Sequence, residues 1–231
     1  MRTLAIDTSR AAGSVAAIDG GRVVEQPLGT PHDHARLLAP ALAEVAARLG
    51  WAPRDAELIA VVRGPGSFTG LRVGVATAKA LAWATGCRLV GVSGFEVAAR
   101  RVAEFTGRVD RPVAVAFDAG RGEVYAAIAV PSDTAATGWT VGPAAVLAVA
   151  EWIAGLPPGA WAAGGALETA AALLATARPD VWLSPPATWE PSAAAAGRIA
   201  ELLAASGAGD DPATLMPDYL RPSYADEKHA G

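Results

Sequence analysis

A few short stretches hold the residues whose types and spacing could do chemistry. Asp7-Thr8-Ser9 and Asp118-Ala119-Gly120 each set a carboxylate beside hydroxyls or small residues. Carboxylates organise Mg²⁺ through water, and small residues let backbone N–H groups approach phosphates. Gly164-Gly165 would suit the adenosine-side turn of such a site. The stretch Arg63-Gly64-Pro65-Gly66-Ser67-Phe68-Thr69-Gly70-Leu71-Arg72 joins an apolar run to an alanine-rich one. A strand, a glycine turn and a helix start in that order offer free N–H groups to an anion. The glycines fit neither G-x-G-x-x-G nor a Walker A loop, since no Gly-Lys-Ser/Thr follows. A plain tight turn needing glycine's positive φ reads the same residues. The three histidines are His32, His34 and His229. His32-Asp33-His34 lacks the i, i+4 spacing of ligands one helical turn apart, so both read as surface or cap residues. No G-x-S-x-G elbow or Ser/His/Asp set is present.

The elements that must position these residues follow from periodicity. Arg2–Asp7, Gly13–Ile18 and Arg22–Glu25 read as strands, with Asp19-Gly20-Gly21 as a hairpin turn. A helix is expected over residues 33–49, with Leu37, Leu38, Ala41, Leu42, Val45 and Leu49 on one stripe; Pro40 implies a late start or a kink. Leu58–Val62 is a strand, Val73–Thr85 a helix and Arg88–Val92 a strand. Ser93 with Glu96 reads as a capping box opening a helix to Glu104.

The polar stretch Thr106–Arg111 marks a boundary between residues 1–106 and 107–231, and beyond it the pattern restarts. Val113–Asp118 ends in an acid, as Leu4–Asp7 does, and Tyr125-Ala126-Ala127-Ile128 answers Val15-Ala16-Ala17-Ile18. This is a two-copy duplication of a β-β-β-α-β-α unit. Helices are expected at Ala144–Ala154, Ala166–Ala177 and Ser192–Ser206, a strand at Ala160–Ala163, and a tail that docks back. The fold class is therefore α/β, a duplicated actin-like (ASKHA, ribonuclease H-like) fold whose lobes each carry a mixed sheet flanked by helices. In that architecture paired acids hold a metal–nucleotide complex, here Asp7, Thr8, Asp118 and Gly164. Strand termination explains the acids equally.

Composition narrows the classes. The net charge is −4, against a protein that grips nucleic acid by its own basic surface. One cysteine allows no intrachain disulfide and suits a reducing cytosol. The N-terminus reads as a strand with an early acid, unlike a signal peptide. Lys79 and Glu168 interrupt the apolar runs, so no membrane span is expected.

Leu4-Ala5-Ile6-Asp7-Thr8-Ser9, the glycine stretch through Arg72, Ala76-Thr77-Ala78-Lys79-Ala80-Leu81-Ala82, Asp118–Tyr125 and Tyr219-Leu220-Arg221 together resemble the TsaB (YeaZ) family. The resemblance implies a cytoplasmic, non-catalytic subunit of the bacterial machinery that makes threonylcarbamoyladenosine next to the tRNA anticodon. It implies partnership with the catalytic paralogue TsaD and the ATPase TsaE, a homodimer when TsaD is absent, and tRNA contact only through the complex. No cofactor is firmly implied; ATP or ADP at the junction with TsaD is one expectation. The row Gly70, Gly74, Ala78, Ala82 steps by four along one helix face, and small residues admit a close neighbour. That neighbour is either the helix's own sheet or a partner. The resemblance puts Leu37, Leu38, Ala41, Gly70, Arg72, Gly74, Ala78 and Ala82 at the partner interface, so Gly74→Leu is expected to block pairing and spare the fold. Arg63 and Arg72 are solvated or orient an acidic partner group or a phosphate. The alternative reading is a stand-alone ATP-dependent phosphotransferase or hydrolase using Asp7 and Asp118.

Overall fold

The structure is a computed structural model that describes residues 1–29, 33–107, 110–190 and 192–221. His32 and His229 lie outside the described residues. β1 (Arg2–Asp7), β2 (Ser14–Asp19), β3 (Arg22–Pro27), β4 (Leu58–Gly64) and β5 (Arg88–Ser93) form the first sheet, in the order β3-β2-β1-β4-β5. β1 runs antiparallel to β2 and parallel to β4. Leu4, Ile6, Ile59 and Val61 face one side, and Ala5, Leu58, Ala60 and Val62 the other. Such alternation of two apolar sets is what a sheet covered on both faces requires. α1 (His34–Arg48) and α2 (Phe68–Thr85) cover the first side with Leu38, Leu42, Val45, Val75 and Ala78.

The second sheet repeats the plan. β6 (Val113–Gly120), β7 (Glu123–Pro131), β8 (Trp139–Val141), β10 (Trp161–Ala163) and β11 (Trp182–Leu183) run in the order β11-β10-β6-β7-β8, and β9 (Ala145–Ala148) also pairs with β7. β6 is antiparallel to β7 and parallel to β10, matching β1 with its neighbours. α4 (Val149–Ala154) and α5 (Leu167–Ala177) cover its outer side.

The closing helices are exchanged between the sheets. α3 (Gly94–Thr106) follows the first sheet, yet Phe95, Ala98, Ala99 and Val102 pack on Val113, Val115 and Phe117 of the second. α6 (Ala193–Ala205) follows the second sheet, yet Ala196, Ile199 and Ala200 pack on Ala5, Ala60 and Val92 of the first. The division 1–106 and 107–231 separates the two sheets but not their coverings.

Several local expectations are corrected. α2 begins at Phe68, five residues before Val73, because the Ser67 hydroxyl accepts from Gly70 N–H at 3.3 Å and caps it. Residues 144–154 are half strand, since Ala145–Ala148 complete the edge of β7. Ser93 makes no side-chain cap, and Glu96 instead accepts from the Thr137 hydroxyl. α1 starts at His34 and continues through Pro40.

Candidate functional site

The glycine stretch lies directly on the Thr8-Ser9 turn. Ser67 N–H donates to Ser9 O at 2.7 Å, and the Thr8 hydroxyl donates to Gly70 O at 2.7 Å. A Cβ on Gly66 would stand 2.2 Å from Ser9 O, one on Gly70 2.1 Å from Thr8 O, and one on Gly74 2.2 Å from Thr8 Oγ1. These glycines are there for close backbone approach between α2 and the end of β1. The N–H of Ser67 is thereby taken by protein.

Between the lobes is a cavity of about 480 Å³ whose lining includes Ser9, Arg10, Ser67, Phe68, Asp118 and Glu168. Asp118 is exposed at the end of β6, where its Oδ1 accepts from Gly120 N–H at 2.9 Å. Asp7 does not line this cavity. It is buried, and one oxygen accepts from both Ser9 N–H (3.0 Å) and Ser9 Oγ (2.6 Å). Burial raises its pKa above the usual carboxylate range, against the opposing pull of the Ser9 hydrogen bonds. Gly164 has φ +98°, and a Cβ there would meet Ala116 O at 2.3 Å, so this glycine seats the β10–α5 turn against β6.

A metal–nucleotide complex does not fit these residues. Asp7 is buried with one oxygen bonded to Ser9, the Thr8 hydroxyl is committed to Gly70, and the Arg10 guanidinium lies over Gly165, where a Cβ would be 1.7 Å from its Nη1. Among the described residues no group of three or more His, Cys, Asp or Glu side chains could hold a metal ion. His34 is buried, not a surface residue: its Nε2 sits 3.2 Å from Ala11 O.

The expected docking of the tail takes the form of a strap. Lys79 Nζ donates to Leu215 O at 3.1 Å, and Asp218 N–H donates to Arg63 O at 2.7 Å. Arg63 Nε is 3.1 Å from Asp218 Oδ2 as an ion pair. Arg72 Nε donates to the Tyr219 hydroxyl at 3.0 Å while its guanidinium stacks 3.9 Å over Phe68. Arg221 then reaches the second lobe, donating to Ala119 O at 3.1 Å and to the Glu123 carboxylate. Arg63 and Arg72 are thus both engaged within the chain.

The small-residue row of α2 turns inward. Gly70, Gly74, Ala78 and Ala82 are buried against the chain's own sheet, as are Leu38 and Ala41 of α1, and Leu37 packs partly on the same core. Of the residues expected at an interface, only Arg72 is exposed. The outward rows are different ones. Ala35, Ala39, Ala43 and Ala47 are exposed along α1, and Ala76, Ala80 and Ala84 along α2. Each row steps by four, the two helices touch, and Trp83 stands beside them 75% exposed. The same sequence periodicity that suggested an inward row also produces the outward one; only burial separates them. Arg10 and Glu168, on opposite lobes, carried no motif to mark them.

Comparison with known proteins places this geometry. Residues 20–186 match the family model described as TsaD: tRNA N6-adenosine threonylcarbamoyltransferase. The chain is 36% identical over 126 residues to the tRNA threonylcarbamoyladenosine biosynthesis protein TsaB of Bacillus subtilis, covering 54% of this chain and 53% of that protein. It thus spans about half the length of the first curated relatives it matches. An uncharacterized Mycobacterium bovis protein is 34% identical over 222 residues, 94% of this chain and 90% of that one. The solved structure of YeaZ from Pseudomonas aeruginosa superposes with a TM-score of 0.78 at 28% identity, covering 94% of this chain and all of that one.

Proposed function

The chain belongs to the TsaD family, on its TsaB (YeaZ) branch, and from that premise we propose that it is a non-catalytic subunit that pairs with a catalytic TsaD to install threonylcarbamoyl on tRNA. The observation that carries the reading is the outward face of α1 and α2. Two exposed alanine rows give a surface a second helical pair can approach closely, and Trp83 supplies the large apolar anchor typical of an interface centre. The same face serves a homodimer when TsaD is absent. TsaE joins the pair, and tRNA is held through the complex, in keeping with the chain's net charge of −4. The setting is cytoplasmic; among the described residues no helix is long and apolar enough to cross a membrane.

The non-catalytic reading rests on the separation of the two acids: Asp7 is buried beside Ser9, while Asp118 lines the interlobe cavity. ATP or ADP belongs at the junction with the partner rather than in the cleft. Reconstitution tests the reading: threonylcarbamoyladenosine formation with TsaD and TsaE should survive Asp7→Asn with Asp118→Asn and should fail with Ala80→Glu. Loss of activity in the acid variant, with partner binding intact, would instead favour the phosphotransferase or hydrolase reading.

A further inference from the structure

Arg10 leaves the first lobe immediately after the Asp7-Thr8-Ser9 turn and crosses to the second. Its Nη2 donates to Glu168 Oε1 at 3.0 Å, and its guanidinium carbon lies 5.9 Å from the centre of the Phe117 ring. The side chain is only 18% exposed, although the interlobe cavity it lines is open and large. The position a Cβ would occupy on Gly165 is 1.7 Å from Nη1 and 1.9 Å from both Cζ and Nη2. The guanidinium therefore fills the space that a Cβ on Gly165 would need, while the turn's other glycine, Gly164, seats against Ala116. Gly165 shows no positive φ, and the nearest atoms to a Cβ there all belong to the Arg10 guanidinium.

We propose that Arg10 is a built-in occupant of the interlobe cleft, which latches the lobes through Gly165 and Glu168 and excludes nucleotides from the position the fold offers them. The chemistry is consistent with its neighbours. The guanidinium lies between an aromatic ring and a carboxylate, while its buried Nε makes no hydrogen bond among the described residues. A nucleoside triphosphate entering the turn would have to displace it while finding the Ser67 N–H already bonded to Ser9 and the Thr8 hydroxyl bonded to Gly70. Specificity here is exclusion by a side chain of the protein itself.

The test is a two-residue cycle on the full chain with calorimetric melting. Gly165→Ala forces a methyl group into the guanidinium and is expected to lower the melting midpoint by about 2–4 °C, the shift expected for a chain of this size losing one modest contact. In an Arg10→Ala background the same change is expected to leave the midpoint where it is. Titration of the wild-type chain with Mg·ATP is expected to give no saturable heat at millimolar nucleotide. An equal fall in both backgrounds, or unfolding of the double variant, would overturn the latch. Saturable Mg·ATP binding by the wild-type chain would overturn the exclusion. Neither arm touches the α1–α2 face, so the outcome is separate from that of the partner assay.

Discussion

The hydroxyl of Thr8 lies 2.2 Å from where a Cβ on Gly74 would stand, so the second turn of α2 rests on the end of β1 with no room for a methyl group. Gly74 is a helix-interior glycine, which costs about 1 kcal/mol in helix propensity against alanine. That cost is offset by this contact inside the chain.

Gly74→Ala is therefore expected to destabilise the isolated chain by about 1–3 kcal/mol, the usual range for overpacking. Adding Thr8→Ala removes the clashing hydroxyl and should restore part of the loss. Denaturant unfolding of the two single variants and the double gives the coupling. The earlier expectation that Gly74→Leu spares the fold is reversed by the same geometry.

Asp7 gives a pH signature. Its folded pKa is raised, so the neutral form favours the folded state. Its contribution is fully present below the unfolded carboxylate pKa of about 3.9 and is lost as pH rises through the folded value. Asp7→Asn keeps an oxygen for the Ser9 donors and removes the buried charge. The variant should melt higher than wild type at neutral pH, with the advantage shrinking as the buffer is made acidic. A melting difference that does not change with pH would remove this account.

Trp83 offers a test of the outward face. Being exposed, Trp83→Ala should change folding stability by no more than about 0.5 kcal/mol. It should weaken partner binding by about 2 kcal/mol or more, roughly thirtyfold, as loss of an interface anchor does. Sedimentation of the variant with TsaD, beside its melting curve, separates the two effects.

The exchanged helices predict what a lobe does alone. A fragment of residues 1–107 would expose the inner side of the first sheet, including Leu58, Val62, Val90 and Val92, which α6 covers in the full chain. It is expected to aggregate or remain unfolded by circular dichroism, and to recover native-like spectra when co-expressed with residues 107–231.

Much of this architecture was legible in the sequence, and what escaped it has physical reasons. The continuous apolar runs at Leu4–Ile6 and Leu58–Val62 named their strands, and the echo at Val113–Asp118 named the duplication, because a strand buried on both faces is apolar throughout. The packing of α6 on the first sheet was not legible, since Ala193–Ala205 carries no mark of which sheet it meets. The row Gly70-Gly74-Ala78-Ala82 was visible, but a small-residue row signals close approach without naming the neighbour. Arg10 was invisible because its partners, Gly165 and Glu168, lie far along the chain.

The reciprocal covering of the sheets also acts on the protein during its synthesis. The inner side of the first sheet is made within the first hundred residues but waits for Ile199 and Ala200 before it has a lid. Chains interrupted before α6 would carry that apolar side open to chaperones and proteases. A polypeptide must therefore extend through α6 before that side of its first sheet is covered.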